Sequence, residues 1–309
     1  MTRTREDGKE EVFSACIKHD DTRYLGGNKS SSIVATKLQG RPRTGITYDE
    51  ANEFCTNRGD WITMIDYLEY CALQALCYIE YANFDNQAAL NTNLTSDGFK
   101  QGGLGASVTN LAWDRWTAFN GNNPIVQTYW TAEHNIGNGS TNGDHYELGN
   151  YNVDGSNLNT YPAVYRGILN FFGDIWTFIR DVAIINRNVN YNSVYLLKKS
   201  VNHSDITIDN IQDKCYFIGD QANTNNFITE FDFRFGPYFV PNKVGTNKKA
   251  DYNWIRGDNE QDTDKAVRVL LLGGRADSGF AAGSGGFHSD WARLASRTDV
   301  GFFTTVKLN

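Results

Sequence analysis

Several groups of residues in this sequence have the types, and nearly the spacing, to do chemistry. Asn150-x-Asn152-x-Asp154-Gly155 matches the first half of an EF-hand loop, where alternating oxygen ligands and a glycine wrap the chain around calcium. The twelfth position should be a bidentate acid and is Tyr161, and no helical pattern flanks the loop, so the segment reads as an Asx-rich turn. His134, Asp144, His145 and Glu147 bring zinc-ligand types close together, as do His288 and Asp290, but neither group has the spacing of a known tetrahedral site. Ser284, in Ala282-Gly283-Ser284-Gly285-Gly286, resembles a nucleophile elbow with its first glycine replaced. An elbow follows a strand and opens a helix, whereas Ser284 sits in a Gly-rich stretch. Gly137-x-Gly139-x-x-x-Gly143 misses the dinucleotide spacing by one and precedes no helix. Catalytic carboxylate pairs are defined by their separation in space, which a sequence does not give, so glycan cleavage stays open. The residues thus point to no metal, no cofactor and no catalytic constellation.

The elements that would position these residues are those of an α+β chain. Among 309 residues there are 29 Gly, 16 Tyr and 18 Phe but 5 Pro, a mix that suits strands and long ordered loops better than a helical bundle. A net charge of -7 without a basic stripe argues against nucleic acid as a partner. No window approaches the roughly 20 apolar residues that span a bilayer, so no membrane insertion is expected. Met1 to Asp7 is polar and lacks the apolar region of a secretory signal, so the chain is expected to stay in the cytoplasm that makes it or to leave inside a virion. The five cysteines are odd in number and contain no CxxC, which predicts buried free thiols rather than a zinc or disulfide framework.

Two helices are expected. Thr47 and Glu50 form a capping box, with Tyr48, Ala51, Phe54, Cys55 and Arg58 on one face and Gly59 as the stop. From about Thr63 to Asn83 nearly every residue outside a narrow stripe of Asp66, Glu69 and Glu80 is apolar or aromatic, which predicts a helix buried against a sheet. Residues 85–160 are rich in Asn, Gly, Thr and Ser and carry Trp113, Trp116, Tyr129, Trp130, Tyr146 and Tyr151, a makeup suited to recognition loops. Residues 165–186 read as a turn and a long strand with Trp176, Phe178, Val182 and Ile184 on one face. Val267 to Leu272 reads as a buried strand opening into the Gly-rich Gly273 to Gly286, and Gly301 to Val306 as a last strand. With no repeat and no linker, the simplest organisation is an N-terminal arm, residues 1–45, and one compact domain, residues 46–309.

Three segments in this order resemble a known family. Ile46-Thr47-Tyr48-Asp49-Glu50-Ala51-Asn52-Glu53-Phe54-Cys55 is similar to its helix opening. Tyr165-Arg166-Gly167 through Gly173-Asp174-Ile175-Trp176-Thr177-Phe178 is similar to its RG…GN-x-W signature. Leu271-Leu272-Gly273-Gly274 through Gly301-Phe302 is similar to its ending. Together, over about residues 45–302, they resemble the C-type-lectin-like fold of formylglycine-generating (sulfatase-modifying) enzymes and of the variable proteins of diversity-generating retroelements, most nearly proteins of gut Bacteroides phages and prophages. The chain departs from the pattern at Asp174, where the signature has Asn, and at Phe303, where the ending has Arg. It has no cysteine after Cys215, so the copper-holding pair of the enzymes is missing.

The resemblance implies a non-enzymatic virion protein, in a tail or head fibre, that binds a bacterial cell-surface glycan or protein. It implies a homo-oligomer, a trimer, attached to other virion proteins through the N-terminal arm. By position it implies ligand contacts from Arg275, Asp277, Ser278, Phe280, Phe287, His288, Ser289, Asp290 and Trp291. Arg, Trp and Phe are common binding anchors, although Phe280, Phe287 and Trp291 are equally suited to packing beneath the loop. Gly167, Gly173 and Trp176 read as structural. Two other functions remain: a structural virion protein whose Gly-rich end makes subunit contacts, and a divergent formylglycine-generating enzyme or glycan depolymerase.

Overall fold

A computed structural model describes residues 2–4, 10–12, 45–57, 62–86, 150–153, 156–159, 164–165, 168–169, 171–173, 175–186, 190–246, 251–255, 267–275, 278, 281–297 and 299–306. The fold is α+β, mostly strands with few helices. In chain order the elements are β1 (Thr2–Thr4), β2 (Glu10–Val12), α1 (Tyr48–Thr56), β3 (Ile62–Met64), α2 (Tyr67–Tyr81), β4 (Asn150–Val153), β5 (Ser156–Asn159), β6 (Val164–Tyr165), β7 (Ile168–Leu169), β8 (Trp176–Asn186) and β9 (Tyr191–Leu197). The short helix α3 (Ile211–Lys214) follows, then β10 (Cys215–Ala222), β11 (Asn226–Asp232), β12 (Val240–Gly245), β13 (Tyr252–Trp254), β14 (Arg268–Leu272), β15 (Phe287–Ala292), β16 (Val300–Phe302) and β17 (Thr304–Val306).

The described residues form a nine-stranded sheet in the order β10-β9-β8-β14-β15-β13-β11-β12, with β16 added alongside β8. Its ladders are antiparallel except β13–β15 and β16–β8. Strand β14 is buried along its whole length because it has a core on each side. Leu270 and Leu272 join Tyr67, Tyr70 and Cys71 of α2 on one side. Val269 and Leu271 join Tyr48, Ala51 and Cys55 near α1 on the other. This is the continuous apolar run expected of a strand covered on both faces. Cys55, Cys71, Cys77 and Cys215 are free and buried; Cys16 lies outside the described residues.

Helix α1 begins at the Thr47–Glu50 capping box and, of the predicted face, buries Tyr48, Ala51 and Cys55 and half-buries Phe54; Arg58 and Gly59 lie outside the described residues. Helix α2 departs from expectation in two ways. It starts at Tyr67, with Asp66 as N-cap boxed to Glu69, because Ile62–Met64 is taken up as β3 by pairing with β17. It is also buried on one side only: Leu68, Leu76 and Ile79 are 48%, 46% and 76% exposed.

Strand β8 corrects a further expectation. Its register against β14 jumps between Ala183 and Ile179, which leaves Arg180 to Val182 as a bulge. Trp176 and Phe178 therefore face the α1 core, whereas Val182 and Ile184 face the α2 core. The bulge is held by two backbone groups and one side-chain hydroxyl brought from elsewhere. Arg180 N–H donates to the Ile65 carbonyl (3.1 Å), the Tyr67 N–H donates to Asp181 (2.8 Å), and the Tyr48 hydroxyl donates to the Arg180 carbonyl. The last strand is likewise two, since β16 pairs with β8 and β17 with β3.

Candidate ligand-binding face

The Gly-rich segment is held from beneath. Gly273 and Gly274 have φ of 95° and 74°, a region that favours glycine, and a Cβ on Gly274 would meet Ala282 Cα at 3.0 Å. Gly273 N–H donates to Gly286 O (3.0 Å), and its own carbonyl accepts from Gly173 N–H (3.0 Å). Below the returning half lies Asp251, itself at φ 48° and buried. Its carboxylate accepts from Gly285 N–H (2.9 Å) and from the Tyr78 hydroxyl, to which Gln74 also donates (2.8 Å). A Cβ on Gly285 would lie 2.6 Å from Asp251 Oδ2 and 2.7 Å from both Gln74 Nε2 and the Tyr78 oxygen. The glycines thus allow backbone to rest on a buried polar network. Burial pushes the Asp251 carboxyl up to about 7, against the lowering effect of the Tyr78 and Gly285 hydrogen bonds.

Ser284 belongs to this support. It is fully buried, and its N–H (3.0 Å) and hydroxyl both donate to Asn86 Oδ1. A serine held this way is a buried strut, and no helix opens after it. The first four residues of the Asn150–Gly155 motif form β4, which pairs with β5 from Asn150↔Asn159 to Val153↔Ser156; Asp154 and Gly155 lie outside the described residues. His134, Asp144, His145, Glu147, Gly137, Gly139 and Gly143 lie outside the described residues, as do Trp113, Trp116, Tyr129, Trp130 and Tyr146. Among the described residues no cluster of three His, Cys, Asp or Glu has metal-binding geometry.

Strand β15 carries most of the expected contact residues, and a bulge decides which way they face. Phe287 pairs with Leu272 and His288 with Leu271, but Trp291 pairs with Val269, so β15 has one residue more than β14 over this stretch. His288 and Trp291, three apart, therefore lie on one side, next to Trp176 and Trp254. The His288 ring centroid is 5.0 Å from Trp176, 6.1 Å from Trp291 and 6.5 Å from Trp254. Phe287 goes the other way, fully buried and 6.4 Å from the Tyr67 ring. Ser289 is buried and donates to the Trp254 carbonyl (3.3 Å); Trp291 is 8% exposed, and its indole N–H donates to Ala295 O (3.3 Å). Phe287, Ser289 and most of Trp291 are thus spent on packing. His288 and Asp290 are half-buried, and Asp277 and Phe280 lie outside the described residues.

Charge rims the aromatic group. Asp299 is buried and receives two guanidinium groups, that of Arg275 and, at Oδ1, the Arg297 Nε at 3.1 Å. Ser278 braces the Arg275 turn, accepting the Arg275 N–H (3.2 Å) and donating its own N–H to Arg275 O (3.0 Å). Arg297 is 53% exposed and lies over the Trp291 ring, 5.9 Å from its centroid. Burial and the two arginines push His288 down to about 3, so its imidazole is neutral at physiological pH. The result is an aromatic surface of Trp254 and His288, backed by Trp176 and Trp291 and edged by a guanidinium with a carboxylate behind it.

Trp254, Arg297, Asp299 and Asp251 were missed from sequence. Trp254 reaches the site through the parallel pairing of β13 with β15, in which Trp254 is opposite His288. A three-residue strand 34 positions away carries no local signal of that contact.

A second recess of about 820 Å³ lies between α1, the β8 bulge and residues 197–204. Its carboxylates all have structural partners: Asp49 pairs with Arg293, Asp66 caps α2 and meets Arg180 (3.4 Å), and Asp181 accepts the Tyr67 N–H. Burial pushes Asp181 up to about 6.

Fold and surface together define an α+β protein with a pinned Gly-rich loop beside an aromatic and guanidinium face. Compared with known proteins, the chain matches no protein-family model and no curated protein.

Proposed function

We propose that this is a non-catalytic receptor-binding protein of a phage virion, in a tail or head fibre, with a C-type-lectin-like fold. Its ligand would be a bacterial surface glycan or protein held on the face of Trp254, His288, Arg275 and Arg297. The observation that carries this reading is the β15 bulge, which turns His288 onto the tryptophans beside a half-exposed arginine. Rings supply contact area at low entropy cost, and a guanidinium supplies directed hydrogen bonds to carboxylate, phosphate or hydroxyl oxygens. The convergence of the three family-like segments supports the fold. Tyr48 N–H donates to Arg293 O (3.1 Å), Gly173 N–H to Gly273 O, and Trp176 N–H to Asp299 O (2.9 Å).

The test is binding of the purified full chain to a panel of bacterial strains and to a glycan array. Retention on a subset of strains or glycans, lost in Trp254→Ala and Arg297→Ala, is the expected result. No binding to any strain or glycan, or binding unchanged in both variants, overturns it. In the virion the protein would form a trimer joined to other virion proteins through residues 1–45.

A structural role in subunit contacts draws on a different observation. Leu68, Leu76 and Ile79 make an apolar stripe on the outer side of α2, with Phe84 66% exposed beyond its end. If that stripe is the contact, Ile79→Glu with Leu76→Glu converts an oligomer to monomer by light scattering.

A further inference from the structure

A second surface, on β9 and β10, lies apart from the face around His288; its inner part, Tyr195 and Cys215, belongs to a buried cluster with Ile206 and Ile211, and its outer part carries Tyr191, Gln212, Phe217 and Asp220. The geometry points to a ligand site on the outer side of these strands that takes a neutral pyranose sugar.

The argument starts from the alternation of β9. Tyr191, Ser193 and Tyr195 point to one side of the strand, and Val194 points to the α2 core. Across the ladder Tyr195 pairs with Phe217 and Ser193 with Asp220. Phe217 and Asp220 are three apart, so plain alternation would put them on opposite faces. The register instead slips between Phe217 and Gly219, sending Ile218 into the core and Asp220 back to the side of Phe217. Glycine suits the position: Gly219 has φ of 156°, which side chains rarely adopt, and a Cβ there would press on the Val240 side chain at 3.2 Å. The chain thus uses a bulge to aim one carboxylate at an aromatic row.

The strands enclose a groove of about 370 Å³ lined by Tyr191, Ser193, Tyr195, Gln212, Cys215, Phe217 and Asp220, in which Ser193, Tyr195 and Cys215 are buried and Tyr191, Gln212, Phe217 and Asp220 reach solvent. That volume falls within the range of about 300–1,000 Å³ typical of small-ligand sites. Tyr195 and Phe217 meet edge to face at 5.6 Å, and Phe217 meets Phe235 of the β11–β12 connection at 5.0 Å. Ser193 Oγ donates to Asp220 Oδ1 (3.1 Å), which fixes the carboxylate's orientation. Of the residues lining the groove, Asp220 is the one with a charge. Arg234 is close to Asp220, but its guanidinium is gripped by Asp232 through Nε (2.9 Å) and Nη2 (2.7 Å).

This set matches the two-sided chemistry of a pyranose. Its C–H face is weakly positive and rests on the negative face of an aromatic ring, while the hydroxyls around its rim donate to a carboxylate. Gln212 can both donate and accept. A sugar acid would bring its carboxylate against Asp220 and is disfavoured. The site is independent of the proposed receptor face, so either can fail alone.

The experiment is saturation-transfer NMR on the full chain with the methyl glycosides of glucose, galactose and mannose and, separately, glucuronate. The expected result is transfer to ring protons of at least one neutral glycoside, with glucuronate weaker. Binding is weakened about tenfold in Tyr191→Ala and in Asp220→Asn, the size of one lost stacking or charged contact, and is unchanged in Arg297→Ala. Tyr191 is 36% exposed, and Asn keeps the shape of Asp, so both variants are expected to fold, which thermal melts check. No transfer from any of the three neutral glycosides, transfer undiminished in both variants, or glucuronate bound as well as the neutral sugars would each overturn the proposal.

Discussion

Both surfaces are built by a bulge beside a glycine-dependent close approach, yet they end in opposite electrostatic states. On β15 the bulge turns a histidine onto tryptophans, and the charges around it are already paired: Arg275 and Arg297 both lean on the buried Asp299. On β10 the bulge turns Asp220 to the side of Tyr191 and Phe217, where the Ser193 hydroxyl donates to it at 3.1 Å and Arg234 is held away by Asp232. The first is a preorganised surface whose polar groups hold each other in place, and the second keeps an acceptor available for an incoming hydroxyl. One backbone device therefore serves two kinds of surface, and the difference lies in what the surrounding strands bring to meet it.

The firmest way to break this contrast is to attack the support of the Gly-rich loop. Gly285→Ala drives a methyl into Asp251, Gln74 and Tyr78, all buried, and should cost about 3 kcal/mol in urea unfolding. A loss under about 1 kcal/mol would mean the loop yields and is not a rigid platform. Asp251→Ala strips the acceptor from Gly285 N–H and the Tyr78 hydroxyl and should cost about 2 kcal/mol, whereas Asp251→Asn keeps an acceptor and suits the left-handed backbone.

The Asn variant also isolates a pH effect. The folded Asp251 titrates near 7 and the unfolded one near the ordinary value of 3.8, so the folded state holds the proton more tightly. Its stabilising contribution is complete below about pH 4 and is lost as pH rises to about 7. Burial pushes His203 down to about 4, and His288 lies near 3, so both act in the opposite sense, adding stability as pH rises toward 6.5. The gap in stability between Asp251→Asn and the natural chain should therefore shift in favour of the variant from pH 5 to pH 8. A gap independent of pH would place the Asp251 carboxyl in its ordinary range.

Smaller effects sharpen the comparison at the rim. Arg275→Ala leaves Asp299 buried with one guanidinium and should cost about 1 kcal/mol. Arg297→Ala, at a half-exposed side chain, should change stability by less than about 0.5 kcal/mol while weakening receptor binding. Equal losses for the two would mean that both arginines are structural.

Much of the frame was legible locally. The Thr47–Glu50 box, the one-sided periodicity of α1 and the apolar run Val269 to Leu272 of β14 each depend on residues within a few positions of one another. The start of α2 was not, because Ile62–Met64 is a strand only by virtue of Thr304–Val306, more than 200 residues later. The exposed stripe of Leu68, Leu76 and Ile79 defeated the same reading, since composition says how apolar a helix is but not how many of its sides find partners. In the candidate face, Arg275, Ser278 and His288 were named by position, whereas Trp254, Arg297 and Asp299 arrive through pairings and ion pairs that no local pattern records.

The sequence by itself determined the α+β class, the cap of α1, the buried thiols and the place of the Gly-rich segment, because these follow from residue type and short-range periodicity. Only the tertiary structure decided which side chains of that segment reach the surface. Three register slips, in β8, β10 and β15, each reverse the face that alternation predicts, and a slip exists only relative to the strand alongside.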